Sequence, residues 1–128
     1  MSDGASSGTL HDVGGQRVWL AEADGPPLRS DRDALALVSD TYAHRPDWIA
    51  LPVARCGNEF FQLRTRILGE VAQKLVNYGL RLAIVGDMTK LVPESPALRD
   101  FVREANRGRQ IWFVASFVEL RERLEALS

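Results

Sequence analysis

The sequence predicts a single α/β domain, in which a mostly parallel sheet carries an N-terminal β-hairpin and about four helices. Two observations support this prediction. Short apolar runs typical of buried strands alternate with longer segments whose apolar residues recur at helical spacing. The chain has 128 residues, of which 45% are hydrophobic and 26% charged, and this size and composition are typical of one soluble globular domain.

The chain is predicted to open with a tail and a hairpin. Residues 1–8 are small and polar, so we expect them to form a disordered tail and the domain to span residues 9–128. Gly14 and Gly15 separate two strand-like segments, which is the pattern of a β-hairpin. In the second of these segments, Trp19 is expected on the face opposite to its apolar neighbours.

Helices are predicted where cap residues precede apolar positions at helical spacing. The first helix should end before Pro46. The second and third should end at Gly79 and Gly108, because glycine favours the backbone conformations that close a helix. The four predicted cap residues are Ser30, Asn58, Ser95 and Ser116.

Three further strands are predicted between the helices, at residues 48–51, 80–85 and 111–114. The element order is then β-β-α-β-α-β-α-β-α, and right-handed crossovers make the sheet mostly parallel. Unbroken apolar runs are typical of strands covered on both faces, so we expect four residues to be central and nearly fully buried. They are Ile84, Val85, Ile111 and Phe113.

The candidate ligand site follows from the rule that α/β folds bind ligands beyond the carboxyl ends of their strands. Asp87 comes directly after a predicted strand, and Thr89 and Lys90 follow it, so these residues could hold a phosphate, with Asn58 or Cys56 opposite. The alternative is a purely local role, in which the Asp87 carboxylate accepts backbone N–H groups in a turn.

Cys56 is the single cysteine of the chain and is expected in a loop before a helix. The helix dipole and the neighbouring Arg55 could favour its thiolate, but His11 and His44 do not have the spacing of a base for it, and an ordinary loop cysteine is the alternative. These few residues also lack the spacing of metal ligands. We therefore predict no catalytic set, no metal site and no cofactor.

The charge pattern argues against a nucleic-acid partner. The sequence pI is about 6.1, whereas nucleic-acid binding domains are usually strongly basic. Arginines recur along the third helix and could dock an acidic partner, although such a stripe can also be a solvated face. They are Arg99, Arg103, Arg107 and Arg109. No apolar stretch is long enough to span a membrane and no signal peptide is visible, so we expect a cytoplasmic protein.

Several motifs in the second half of the chain form a recognisable set. They are Glu59-Phe60-Phe61-Gln62-Leu63, Leu68-Gly69-Glu70 with Gln73-Lys74 and Asn77-Tyr78, Leu82-Ala83-Ile84-Val85-Gly86-Asp87, Leu98-Arg99-Asp100-Phe101, and Glu104-Ala105-Asn106-Arg107-Gly108. With these motifs, the stretch from Phe60 to Leu124 resembles a bacterial family known only as domain-of-unknown-function family 4180. Two positions depart from the pattern that the resemblance implies: Arg66 stands in place of a glycine, and Ala105 in place of a serine.

The element order of that family is similar to that of the STAS domains, which occur in sulfate transporters and anti-sigma-factor antagonists. Residues 65–69 also resemble the Ser-Ser-Gly-Leu-Gly helix start at which STAS antagonists are phosphorylated. The resemblance implies that Thr65 is a candidate phosphorylation site. We expect it at the solvent-accessible start of the second helix, because the apolar stripe begins only at Ile67. The alternative is that Thr65 merely caps a helical turn.

Two functional hypotheses follow. The first is a STAS-like regulatory or interaction module without enzymatic activity, whose partner is another protein or a second copy of the chain. The second is a small enzyme or binder of a phosphorylated small molecule, using the crevice around Asp87. A cavity of about 300 Å³ or more lined by the candidate residues would favour the binder. A shallow crevice beside an exposed apolar patch would favour the module.

Overall fold

The computed structural model describes residues 8–57, 59–89 and 95–127, and its five strands form one sheet. The strands are β1 (Gly8–Val13), β2 (Gln16–Ala21), β3 (Trp48–Pro52), β4 (Arg81–Val85) and β5 (Ile111–Val114). They lie side by side in the order β1-β2-β3-β4-β5. The first pair is antiparallel and the three other pairs are parallel, so the predicted α/β class, hairpin and mostly parallel sheet are confirmed.

Four α-helices pack against this sheet, three on one face and one on the other. They are α1 (Asp31–Thr41), α2 (Ile67–Asn77), α3 (Pro96–Arg107) and α4 (Phe117–Leu127). Strands β2 to β5 follow one another in space as in sequence, and right-handed crossovers between such strands place every connecting helix on the same face. Helix α4 follows the last strand and covers the opposite face.

Alternation along the strands divides the core into two clusters. We call the surface under α1, α2 and α3 the three-helix face; its buried strand residues are Trp19, Ala21, Ile49, Leu51, Leu82, Ile84 and Phe113. We call the surface under α4 the one-helix face; its buried strand residues are Val13, Val18, Trp48, Ala50, Ala83, Trp112 and Val114. Trp19 therefore lies opposite to Val18, as the hairpin pattern predicts.

Most of the predicted helix boundaries are confirmed. The Ser95 hydroxyl accepts a hydrogen bond from the Leu98 N–H at 3.2 Å, and the Ser116 hydroxyl accepts one from the Glu119 N–H at 3.2 Å. Gly79 closes α2 with a left-handed φ of 76°. At the first helix Ser30 is the N-cap, but its side chain makes no cap hydrogen bond.

The predicted start of the second helix is wrong. Helix α2 begins at Ile67, and the expected cap, Asn58, lies outside the described residues. Phe60 and Phe61 turn inward and are buried in the core, and a 3-10 turn at Leu63–Thr65 follows them. The Phe60 N–H donates to the Gly57 carbonyl oxygen and the Gln62 N–H to the Glu59 carbonyl oxygen, so the chain turns here and the regular helix starts only afterwards.

Strand β5 is an edge strand, which corrects the expectation that residues 111–114 are central. Ile84 and Phe113 are buried as predicted, whereas Val85 and Ile111 are only half-buried. An apolar run therefore marks coverage by helices on both faces but does not tell whether a strand has neighbours on both sides. Most of the predicted tail, residues 1–7, lies outside the described residues, and β1 already begins at Gly8.

Candidate functional site

An open cleft of about 490 Å³ lies beyond the carboxyl ends of β4 and β5, between α3 and the start of α4. We call it the carboxyl-end cleft. Much of its lining is apolar, and Asp87, Thr89 and Glu119 supply polar side chains. The full lining comprises Gly86, Asp87, Met88, Thr89, Val102, Phe113, Val114, Ala115 and Glu119.

Asp87 forms the local turn that the sequence offered as an alternative. Its carboxylate accepts a hydrogen bond from the Thr89 N–H at 2.8 Å, and both residues are exposed. Gly86, just before it, has a φ of 145°, and a Cβ there would come within 2.8 Å of the Val53 side chain. A glycine at this position thus allows the chain to leave β4 close against the preceding loop.

Only part of the candidate ligand set is brought together. Asp87 and Thr89 both line the carboxyl-end cleft, whereas Asn58 and Lys90 lie outside the described residues. Cys56 is not among the residues that line the cleft. The strand order gives a reason, because α/β sheets form their binding crevice where the order reverses, and the order β1-β2-β3-β4-β5 has no reversal.

Cys56 has the character of the ordinary loop cysteine that the sequence offered beside a thiolate. Burial raises the pKa of its thiol to about 12, an effect that the neighbouring Arg55 only partly offsets. The Cys56 Sγ lies 3.9 Å from the Pro52 carbonyl oxygen, and no helix begins directly after it. The half-buried thiol is therefore held in its neutral form.

Arg55 has a structural role that sequence reasoning missed. Only 8% of it is exposed, and its guanidinium donates to the carbonyl oxygens of Pro26 at 2.7 Å and Glu22 at 2.9 Å. A Cβ on Gly25 would lie 2.6 Å from that guanidinium. Burial lowers the pKa of Arg55, with partial compensation from Cys56 and Asp24. The side chain fastens the 22–28 loop to the end of β3 instead of activating the thiol.

Thr65 lies at the entrance to α2, one residue before its N-cap, and is half-buried. Its hydroxyl proton is shared between the carbonyl oxygens of Glu59 at 2.9 Å and Gln62 at 2.8 Å, in a bifurcated hydrogen bond. The same oxygen accepts a hydrogen bond from the Ile67 N–H at 3.3 Å. Thr65 therefore ties the 59–65 turn to the first residue of the helix.

The arginine stripe on α3 is exposed and partly paired with its own acidic neighbours. Arg107 lies 3.1 Å from Glu104, and Arg99 lies 3.8 Å from Asp100. Exposed pairs of this kind contribute little to stability, so the pattern matches the solvated face that the sequence offered as an alternative. In the described part of the chain no group of three potential metal ligands occurs, and no helix is long and apolar enough to cross a membrane.

A family model described as Domain of unknown function (DUF4180) matches residues 13–124. The chain belongs to this family. The match includes β2 to β5 and α1 to α3 in full, so the whole parallel part of the sheet belongs to the DUF4180 unit. None of the curated proteins and none of the solved structures compared with the chain is significantly similar to it.

The backbone has a left-handed conformation just before α2. Arg66, at which the resemblance to the family led us to expect glycine, has a φ of 64°. Glycine adopts this conformation without the steric cost that a Cβ imposes. This left-handed residue changes the chain direction between the 3-10 turn, which ends at Thr65, and the start of α2. Arg66 also borders an open groove of about 440 Å³, whose other lining residues are Leu63, Gly69, Glu70, Gln73 and Phe101.

Proposed function

We propose that this DUF4180 domain is a cytoplasmic regulatory module of STAS-like architecture that acts by docking to another protein and not by catalysis. The observation that supports this most is the lining of the carboxyl-end cleft, where Met88, Val102 and Phe113 contribute apolar surface to an open depression. Apolar surface in an open cleft suits a side chain presented by a protein partner.

The proposed partner segment has an apolar side chain flanked by a basic residue. The apolar side chain would enter between α3 and α4, against Val102 and Phe113. The two acidic residues of the lining, Asp87 and Glu119, give the rim the charge that complements a lysine or arginine. A second copy of the chain is the other possible occupant, and the experiment below distinguishes the two.

The docking proposal is tested by a matched pair of substitutions. Val102→Glu places a carboxylate inside the cleft, whereas Val118→Glu places one on the exposed side of α4, outside the cleft lining. In quantitative capture from native cells, we expect Val102→Glu to lose the partner and Val118→Glu to retain it. Equal capture by both variants would refute docking at the cleft. Sedimentation of the purified chain separates self-association from capture of a different protein.

We also propose that phosphorylation of Thr65 regulates the module. The positive end of α2 and the side chains of Arg64 and Arg66 would stabilise a phosphate locally. The same modification removes the hydroxyl proton, so the bifurcated hydrogen bond from Thr65 to the Glu59 and Gln62 carbonyl oxygens would be lost. A phosphate would thus open the 59–65 turn and change the surface at the start of α2.

Variants of Thr65 test this switch. Thr65→Ser keeps the hydroxyl and should retain both the turn and partner binding. Thr65→Asp supplies a negative charge without the donated hydrogen bond, and Thr65→Ala removes the bond without a charge. We expect binding to fall with Thr65→Asp more than with Thr65→Ala, and phosphate on Thr65 in mass spectra of native protein. Equal binding by the two variants, with unmodified Thr65, would refute the switch.

The second candidate function is binding of a phosphorylated small molecule at the same cleft. Its volume of about 490 Å³ is above the value of about 300 Å³ that favours a binder, and both Asp87 and Thr89 line it. Asp87→Asn keeps an oxygen that can accept the Thr89 N–H, so the turn and the stability should survive. Loss of a ligand found by thermal-shift screening, at unchanged stability, would favour this function over docking.

A further inference from the structure

A smaller cavity lies at the opposite end of the sheet, where the parallel strands begin. Its volume is about 160 Å³, and it lies on the one-helix face beside the end of α4. Gln16, Trp48 and Arg81 come from the first residues of β2, β3 and β4. Arg109, Trp112 and Leu124 complete most of its lining, and we call it the Trp–Arg pocket.

Two arginines, Arg81 and Arg109, line the pocket. Neither of them forms an ion pair with an acidic residue among residues 8–57, 59–89 and 95–127. The Arg81 guanidinium carbon lies 5.8 Å from the centre of the Trp48 ring, so this cation lies over an aromatic ring of the lining. Two arginines that line one small cavity give it a positive potential.

Trp48, one of the residues that line the pocket, carries an unpaired hydrogen-bond donor. Trp48 is fully buried, and its indole N–H has no acceptor among the described residues. The neighbouring Trp112 ring, whose centre lies 4.4 Å from that of Trp48, has its indole N–H bonded to the Gly108 carbonyl oxygen at 2.8 Å. Leaving a buried donor unpaired is costly, so an ordered water or a bound group is expected to supply an acceptor for it.

We propose that the Trp–Arg pocket binds a small oxyanion, a phosphate or a carboxylate. The guanidinium groups of Arg81 and Arg109 hold its charge, and the Trp48 indole N–H donates to one of its oxygens. The cavity is too small for a drug-sized ligand, whose sites usually exceed about 300 Å³, but it accommodates one such group. The arginines distinguish this occupant from water, because a neutral molecule would supply the acceptor and leave both cations uncompensated.

The test uses the full chain, with inorganic phosphate and acetate titrated separately at constant ionic strength. In proton–nitrogen correlation spectra we expect the Trp48 indole resonance to move in a saturable manner. The Trp19 indole is the internal control, since its N–H is also unpaired and buried but lies on the three-helix face. Saturation by phosphate alone identifies a phosphate site, and saturation by acetate identifies a carboxylate site.

Substitutions at the two arginines should weaken the saturable binding. We expect Arg81→Gln and Arg109→Gln each to raise the dissociation constant about tenfold or more, as for the loss of a charge-assisted hydrogen bond. Arg103→Gln removes an exposed arginine that does not line the pocket and should leave the constant unchanged. Arg109 is exposed, so its variant should fold even if Arg81→Gln does not.

Three results would overturn the proposal. They are a linear response that sodium chloride reproduces, an equal loss of binding with Arg103→Gln, and unchanged binding in Arg109→Gln. Trp48→Phe supplies a further measurement, because it removes the indole N–H and keeps an aromatic ring in the core. We expect weaker phosphate or acetate binding by calorimetry in this variant, and unaltered binding would also contradict the assigned site.

Discussion

The two faces of the sheet are shielded from solvent by different kinds of side chain. On the three-helix face, mostly aliphatic residues from the strands meet three helices, and the inward-facing Phe60 and Phe61 complete that cluster. On the one-helix face, α4 alone lies over two tryptophans and two alanines, Trp48, Trp112, Ala50 and Ala83. A single helix is about 10 Å wide with its side chains, which is less than the width of a five-stranded sheet.

Large rings and arginine stems compensate for the missing helices on the one-helix face. Trp48 and Trp112 have ring centres 4.4 Å apart, and the Arg123 guanidinium carbon lies 3.8 Å from the Trp112 ring centre. Arg123 also donates to the Asn106 carbonyl oxygen, which joins α4 to the end of α3. Side chains with polar tips therefore cover much of this face. Buried apolar surface and charged groups lie close together there, and the small Trp–Arg pocket forms between them.

The largest expected effect is the loss of stability from a leucine-to-alanine change on each face. Leu75 of α2 and Leu120 of α4 are both fully buried, on the three-helix and the one-helix face respectively. We expect Leu75→Ala to cost about 3 to 5 kcal/mol and Leu120→Ala about 2 to 3 kcal/mol, because a lone helix can shift to fill a cavity. Denaturant unfolding measures both free energies. A larger loss for Leu120→Ala would reverse the comparison.

A second pair of variants compares the tryptophans of the one-helix face. Trp112→Phe removes an indole that is hydrogen-bonded to the Gly108 carbonyl oxygen, whereas Trp48→Phe removes one without a partner among the described residues. The packing losses are similar, so the hydrogen bond should make Trp112→Phe more costly by about 1 kcal/mol in the free energy of unfolding. Equal costs, measured by the same unfolding experiment in phosphate-free buffer, would contradict the different bonding of the two rings.

The sequence predicted the elements far better than it predicted their spatial arrangement. Caps such as Ser95 and apolar periodicity act over a few residues, so the class, the hairpin and the order of elements could be found. The division into a three-helix and a one-helix face depends on strand order, which no local pattern carries. The late start of α2 was missed because the burial of Phe60 and Phe61 is a tertiary effect.

The sites show the same division between local and non-local information. The Asp87 turn is local, and the sequence offered it as an alternative. The Trp–Arg pocket is formed by residues from the beginnings of separate strands, such as Trp48 and Arg81. The rule for α/β folds predicts ligand sites at the carboxyl ends of the strands, which is the other end of the sheet. The resemblance gave one local indication of backbone conformation, since it led us to expect glycine at position 66, where the backbone is left-handed.

A smaller effect on stability is expected at Arg66, the residue just before α2 on the three-helix face. Arg66→Gly should relieve the left-handed strain before α2, although glycine also makes the unfolded chain more flexible. We expect a net gain of about 0.5 to 1 kcal/mol in the free energy of unfolding. Arg45 is the matched position, because it has a φ of 48° after the end of α1. A loss of stability at position 66 with a gain at position 45 would show that the Arg66 side chain contributes contacts that outweigh its strain.

The smallest effect on the free energy of unfolding at neutral pH is expected for the titration of Cys56, which packs against the three-helix face. Burial raises the pKa of this thiol to about 12, above its ordinary value in an unfolded chain. Between these two values the unfolded state loses the proton while the folded state keeps it. The unfolded state then binds fewer protons, so the stability contributed by Cys56 is complete at neutral pH and declines as the pH rises through this window.

Cys56→Ala isolates this dependence, because the other alkaline titrations are common to both proteins. The stability difference between the native chain and Cys56→Ala should be constant from pH 6 to pH 8 and should shrink above about pH 9. Since the chain has one cysteine, a thiolate-directed reagent reports on it alone and should react slowly at pH 8. Reaction as fast as that of free cysteine, or a difference that does not vary with pH, would show that the thiol is more exposed than its packing against the three-helix face allows.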